Sequence, residues 1–165
     1  MPPEDANGPE RDAVRLRAMA AADLEPVKAI ARELKEAPDW PEQTWQELAG
    51  GAAGLRVALV AERGCGAECE LVGFSVAQVV METAELELVA VKTAAQRRGV
   101  GERLLAATLE ACRRAGAERM LLEVRASNVA AQRLYERAGF GVNGRRAGYY
   151  HEPVEDAVCM ERRLG

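Results

Sequence analysis

Apolar residues recur along this chain at two different periods. Residues 14–17 alternate apolar and basic side chains as a half-buried strand does, whereas over residues 23–36 Leu24, Val27, Ile30, Ala31 and Leu34 share one helical face. A strand followed by a helix is predicted. The segment Ala37-Pro38-Asp39-Trp40-Pro41 breaks that helix, and Pro41 suits the first position of a second short helix running to Leu48, ended by Gly50, Gly51 and Gly54.

Residues 55–61 and 71–80 read as strands, joined by a hairpin loop over 62–70 that carries Gly64 and Gly66. A further strand is predicted over 84–91, then a helix over Val100–Arg114 with Val100, Leu104, Leu105, Leu109 and Cys112 inward, then a strand over 119–124. This strand-helix-strand unit implies a parallel crossover. Residues 128–138 form the last predicted helix, stopped by Gly139, and residues 140–149 and 157–163 a closing pair of strands. The class is α/β (α+β), with strands and helices alternating after an antiparallel start.

Composition narrows this little. A chain of 165 residues with 48% apolar residues, 29% charged residues and a net charge of −4 reads as one ordinary globular domain for which nucleic acid is not the expected partner. Residues 1–12 offer almost nothing to bury and are expected to be a mobile tail, leaving 13–165 as the domain. With neither a long apolar run nor a signal-like start, no membrane association is expected and the expected location is the cytoplasm. Cys65 and Cys69 lack the paired short spacings of a metal site, His151 is the sole histidine, and Cys112 and Cys159 suit packing, so reduced thiols and no metal are expected.

The chemistry begins at Gln96-Arg97-Arg98-Gly99-Val100-Gly101, between the strand over 84–91 and the helix from Val100. A helix start presents unpaired N–H groups and about half a positive charge, which suits a phosphate, and Gly99 and Gly101 remove side chains where one would approach. No Gly-Lys-Ser/Thr follows, and Leu104 stands where a dinucleotide fingerprint has its third glycine. A lone Gly-x-Gly also fits an ordinary turn.

The pattern Gln-x-x-Gly-x-Gly after such a strand resembles the acetyl-CoA signature of the GNAT family of N-acetyltransferases. The resemblance implies a mixed central sheet of about six to seven strands with about four helices, and two parallel strands that splay at the cofactor. It further implies acetyl-CoA as co-substrate, held by the main chain of Val89, Ala90 and Val91 and by Gln96, Arg97, Arg98, Gly99, Val100, Gly101 and Glu102.

Two later stretches, Leu122-Glu123-Val124-Arg125-Ala126-Ser127-Asn128 and Leu134-Tyr135-Glu136-Arg137-Ala138-Gly139-Phe140, resemble the RimI-type branch, which acetylates the N-terminal alanine of a small-subunit ribosomal protein. By that resemblance Glu123 is the general base, Tyr135 the general acid and Asn128 a cofactor contact. Glu87 is the rival base, or lies at the acceptor. Arg145-Arg146-Ala147-Gly148-Tyr149-Tyr150 and Glu155-Asp156-Ala157-Val158-Cys159-Met160 resemble the acceptor-side pattern of N-terminal acetyltransferases, with Tyr149 and Tyr150 walling a slot and Trp40 bordering it. Leu88, where close relatives often carry a polar residue, and the added His151-Glu152 depart from the type.

These residue types suit amine acetylation. With reference values of ~8 for an α-amine and ~10.4 for lysine, roughly a quarter of the first but only ~0.1% of the second is neutral near pH 7.5, so a chain terminus needs modest help from a base. The expected enzyme is a monomer or weak dimer acting on a protein N-terminus. A small amine or a lysine side chain as acceptor, or a non-catalytic acyl-CoA-binding regulatory module, are the alternatives.

Overall fold

The computed structural model describes residues 13–50, 56–64 and 66–165; the expected tail, Gly51, Gly54, Leu55 and Cys65 lie outside the described residues. In chain order the elements are β1 (Val14–Ala18), α1 (Leu24–Glu33), α2 (Glu42–Gly50), β2 (Arg56–Arg63), β3 (Glu70–Val80), β4 (Thr83–Val91), α3 (Val100–Arg114), β5 (Arg119–Arg125), α4 (Val129–Arg137), β6 (Gly141–His151) and β7 (Val154–Arg163). The seven strands join one sheet in the order β1-β2-β3-β4-β5-β7-β6. Only β4 and β5 run parallel among these neighbours, as expected of strands joined through α3. Among the described residues no helix is long and apolar enough to cross a membrane. Cys69, Cys112 and Cys159 are free thiols.

Helix α1 stops at Glu33, three residues before the predicted end, because Leu34 turns extended at φ −106° and ψ 120°. Pro38 sets only the outer limit of this helix. A proline ring clashes with the carbonyl four residues back, here that of Leu34, and disfavours helical backbone at the residue before it. Pro41 sits one position ahead of α2, where its carbonyl accepts from Thr44 N–H at 3.0 Å and Trp45 N–H at 3.3 Å. The connection between these two helices thereby becomes an extended loop carrying Trp40.

The sheet divides the core into two layers. Phe74 and Val76 of β3 pack with Val27, Ile30 and Trp45 of α1 and α2, while Ala77 and Val79 pack with Leu105 and Leu109 of α3. Ser75 faces α3 too, its hydroxyl 2.7 Å from that of Thr108. Thr108 already donates to Leu104 O at 2.7 Å, so Ser75 must be the donor in the pair and both buried hydroxyls are satisfied. At Gly73 there is no room for a side chain: a Cβ would stand 2.7 Å from Ala90 O of β4 and 3.1 Å from Leu104 Cδ1 of α3. Gly73→Ala is therefore expected to destabilise the protein by about 1–3 kcal/mol, read as a lowered midpoint in denaturant unfolding at unchanged slope.

Strand β4 carries the irregularity that shapes the site. Val76 faces Leu88 and Ala77 faces Leu86, so Glu87 is an extra residue without its own partner on β3. A bulge of this kind reverses which face later residues occupy. Ala84 and Leu86 enter the α3 layer, whereas Leu88 and Ala90 enter the layer of α1 and α2. Beyond the bulge β4 also loses β5. The parallel pairing covers only Thr83 with Arg119, Ala84 with Met120 and Glu85 with Leu121, after which β5 pairs with β7 alone. A wedge opens between residues 86–91 and 122–125.

Candidate active site

The wedge leads into a cleft of about 560 Å³ bounded by the loop at 35–40, by residues 85–89 of β4, by residues 122–125 of β5, and by Tyr135, Tyr149 and Tyr150. On its β4 wall the main chain beyond Glu85 is not paired with β5. Lys92 N–H donates to Val72 O at 2.7 Å, so strand alternation turns Ala90 towards β3 and turns the N–H and C=O groups of Val89 and Val91 into the wedge. An extended ligand arm added here would meet Val89 and Val91. The main chain of Ala90, expected with them, belongs to the β3 ladder, and its side chain is buried.

At the wedge's open end the chain turns into α3. Gln96 spends its side chain locally, Nε2 donating to Val91 O at 3.0 Å, which ties the turn to the end of β4. Arg97 at φ 64° and Gly99 at φ 78° both adopt left-handed backbone, a conformation that costs an L residue other than glycine about 1–2 kcal/mol. Left-handed residues in a turn are a feature of main-chain nests that bind anions. The first intrahelical bond runs from Arg103 N–H to Gly99 O at 3.1 Å, leaving the amides of Val100, Gly101 and Glu102 without helical acceptors. Nothing lies within 4 Å of where a Gly99 Cβ would stand, so the approach is open. Gly101 is less constrained, since its Cβ would make ordinary contacts of 3.7 Å with Leu134 and Val91. Arg97 and Arg98 are exposed beside these amides. This donor set fits a pyrophosphate. The Glu102 carboxylate, by contrast, pairs with Arg137 at 3.1 Å, joining α3 to α4, so only its main chain is available to a ligand.

Glu123 and Tyr135 both line the cleft. Glu123 comes from β5, where Leu122 and Val124 point into the core and Glu123 to the opposite, open face. Its Oε1 is 3.2 Å from Arg146 Nε, and it accepts the Tyr149 hydroxyl. A carboxylate offers about four lone-pair sites, so capacity for a further proton remains. Tyr135 comes from α4 and is 9% exposed, its ring edge-on to Phe140 at 5.9 Å. Burial, with Tyr150 nearby, pushes its phenol up to about 12. Asn128 lines the cleft but is committed at one atom: its Oδ1 caps α4 by accepting Ala131 N–H at 3.2 Å.

Glu87 faces the same cleft from the bulge, with both oxygens held by Arg56 at 3.2 and 3.3 Å, while Arg56 also reaches Glu47 at 3.2 Å. Trp40 is both wall and anchor, lining the cleft while packing edge-on against Trp45 at 5.0 Å. Across from it Tyr149 and Tyr150 meet edge-on at 5.1 Å, with the Arg125 guanidinium 4.2 Å over the Tyr150 ring and that of Arg146 5.4 Å over the Tyr149 ring.

Three arginines that sequence reasoning left without a role thus contact the predicted residues: Arg56 on Glu87, Arg125 on Tyr150 and Arg146 on Glu123. Their signal in the sequence was faint. Only Gly148 within an otherwise strand-like stretch marks the bulge that brings Arg146 and Tyr149 onto the same carboxylate.

The three tyrosines of the chain all line this cleft. Tyr149 is pushed up to about 12, first by its hydrogen bond to Glu123, and Tyr150 is raised mainly by burial. The folded state therefore keeps protons on its phenols that the unfolded chain loses from about pH 10. Absorbance near 295 nm is expected to show little phenolate in the folded protein at pH 10, and stability is expected to fall as pH rises from about 10 to about 12. Full ionisation at pH 10 with native circular dichroism would contradict this reading of the cleft.

Comparison with known proteins converges on one family. The family described as Acetyltransferase (GNAT) family matches residues 24–140. The putative [ribosomal protein bS18]-alanine N-acetyltransferase of Bacillus subtilis is 37% identical over 90 residues, covering 54% of this chain and 60% of that protein. The [ribosomal protein bS18]-alanine N-acetyltransferase of Salmonella typhimurium is 40% identical over 96 residues, covering 57% and 65%. Both matches span less than two thirds of the relative's length. Among solved structures, the ribosomal-protein-S18-alanine N-acetyltransferase of Escherichia coli superposes with a TM-score of 0.78 at 28% identity, covering 93% of this chain and 95% of that one. NAA60 of Arabidopsis thaliana, in complex with acetyl-CoA, shares the fold with a TM-score of 0.82 at 21% identity, covering 92% and 98%. With its splayed β4 and β5, its glycine turn at the start of α3 and this match across residues 24–140, the chain belongs to the acetyltransferase (GNAT) family.

Proposed function

We propose that this protein is an acetyl-CoA-dependent acetyltransferase whose acceptor is the N-terminal α-amine of a protein, most specifically the alanine terminus of a small-subunit ribosomal protein. One observation carries the reading: Glu123 and Tyr135 line the same cleft as the Tyr149 and Tyr150 pair. The ribosomal specificity draws its support from the named relatives.

Acetyl-CoA supplies an activated acetyl thioester. Val89 and Val91 hold its arm through their main chains, and the amides of Val100, Gly101 and Glu102, with Arg97 and Arg98, hold its phosphates. Asn128 presents its amide nitrogen to the same ligand. Glu123 receives the proton of the attacking amine, directly or through a water. Tyr135 donates a hydrogen bond to the departing sulfur. Tyr149, Tyr150 and Trp40 wall the acceptor side for a chain terminus, and Glu87, fixed by Arg56, adds negative charge there. Such an acceptor places the enzyme in the cytoplasm, working as one domain over residues 13–165.

Release of free CoA thiol distinguishes acceptor classes. Saturable release with a peptide beginning in alanine, and none with spermidine, is the expected result. Turnover of spermidine without turnover of the peptide would replace this reading with that of a small-amine acetyltransferase.

A further inference from the structure

Two adjacent acids on β7 grip the two halves of the tyrosine wall. In the ladder between β6 and β7, Arg146 faces Ala157 and Tyr150 faces Glu155, so residues 147–149 stand opposite Asp156 alone. A surplus of this size leaves main-chain groups outside the ladder and would free the segment bearing Tyr149 to shift. Asp156 closes the surplus: its Oδ1 accepts the Gly148 N–H at 3.0 Å and its Oδ2 accepts Arg145 Nε at 2.9 Å. Glu155 works on the other half. It accepts the Ser127 N–H and Arg125 at 3.3 Å, and Arg125 is the side chain that lies over Tyr150. Neither acid is among the residues lining the cleft, so neither touches an acceptor directly.

We propose that Asp156 is a positioning residue for the acceptor, fixing the β6 bulge so that the Tyr149 hydroxyl stays on Glu123, and that Glu155 does the same for Tyr150 through Arg125. This rests on the reading of the cleft as an acceptor site. The geometry separates the roles of the two Asp156 oxygens. Holding the bulge needs only an acceptor for Gly148 N–H, which asparagine keeps, whereas the pair with Arg145 joins side chains 60% and 37% exposed and adds little.

The test compares Asp156→Ala with Asp156→Asn in the full chain, using an alanine-terminal peptide, acetyl-CoA titration calorimetry and alkaline absorbance at 295 nm. For Asp156→Ala the peptide KM is expected to rise about tenfold while kcat stays within about threefold and the acetyl-CoA Kd within about twofold; Asp156→Asn is expected to restore KM to within about twofold. Without ligand, one of the three tyrosines of Asp156→Ala should ionise nearer 10 than 12, because Tyr149 loses its carboxylate partner. A folded alanine variant with unchanged KM and unchanged phenolate titration overturns the proposal, as does an asparagine variant impaired as much as alanine. Should the alanine variant not fold, Glu155→Gln carries the test: a rise in peptide KM of about threefold is expected, and an unchanged KM overturns it. If the unaltered protein modifies no peptide terminus, the functional reading fails, while the phenolate titration still decides the positioning claim.

Discussion

Replacing Glu123 by alanine is expected to lower kcat by about 10²–10⁴-fold, the range removed with a general base, which corresponds to about 3–5 kcal/mol of barrier. The acetyl-CoA Kd should change by less than about twofold, since Glu123 lines a cleft whose lining residues do not include the turn at residues 96–101. Removing the carboxylate also strands Arg146 and Tyr149, which both bind it now. Some of the loss will therefore appear as a raised peptide KM. Glu123→Gln separates the two effects, because an amide oxygen still accepts from Tyr149 but takes no proton at neutral pH. The glutamine variant should keep a KM near that of the unaltered protein and share the fall in kcat. For Glu87→Ala a smaller loss is expected, about tenfold in kcat/KM and mostly through KM, as its two oxygens are already held by Arg56. The reverse ranking, with Glu87 the more damaging loss in kcat, would move the base to β4.

Tyr135→Phe is expected to reduce kcat by about 10–10²-fold with peptide KM and acetyl-CoA Kd within about threefold, the pattern of an interaction made mainly in the transition state. The magnitude follows from the phenol's surroundings. Burial pushes Tyr135 up to about 12, whereas a thiol ionises near ~8.5, so handing a full proton to a thiolate is uphill by roughly three units, or about 4–5 kcal/mol. Donating a hydrogen bond to charge building on sulfur carries no such penalty. The sign for pH is then fixed. A group that stays protonated up to about 12 gives kcat no falling limb from Tyr135 below pH 10. Loss of activity between pH 8 and 10 that disappears in Tyr135→Phe would show instead that the phenol ionises in that range and transfers its proton.

Much of the fold was legible because periodicity reports local geometry. The helix Val100–Arg114 was predicted with its observed bounds, since five apolar positions at helical spacing lie between a glycine cap and an arginine-rich end. The parallel crossover followed from one strand-helix-strand unit. What periodicity cannot carry is pairing between distant segments: residues 140–149 and 157–163 read as a closing pair, but nothing local says that the second strand inserts between β5 and β6. Pro38 bars α1 from running past residue 36, but the extended backbone at Leu34 that ends it sooner has no such local signal.

The site divides the same way. Side chains named from motifs, Glu123, Tyr135, Tyr149, Tyr150, Trp40 and Glu87, do line one cleft. The residues that hold them there come from other strands and from bulges, where the period of two breaks. Leu88 and Val89 are both half-buried and adjacent, a break in alternation that a reading of plain strand over 84–91 passes over. Ala90 shows the converse limit, since whether a strand residue's main chain faces its neighbour or a ligand depends on register alone.

A chain terminus, and not a side chain, is expected to receive the acetyl group. A peptide with a free N-terminal alanine and one internal lysine, incubated with the protein and acetyl-CoA and then sequenced by fragmentation mass spectrometry, tests it directly. A single acetyl group on the alanine nitrogen is expected, with no product from the same peptide with a formylated terminus. Acetyl groups on lysine alone, formed equally well when the terminus is blocked, would contradict it.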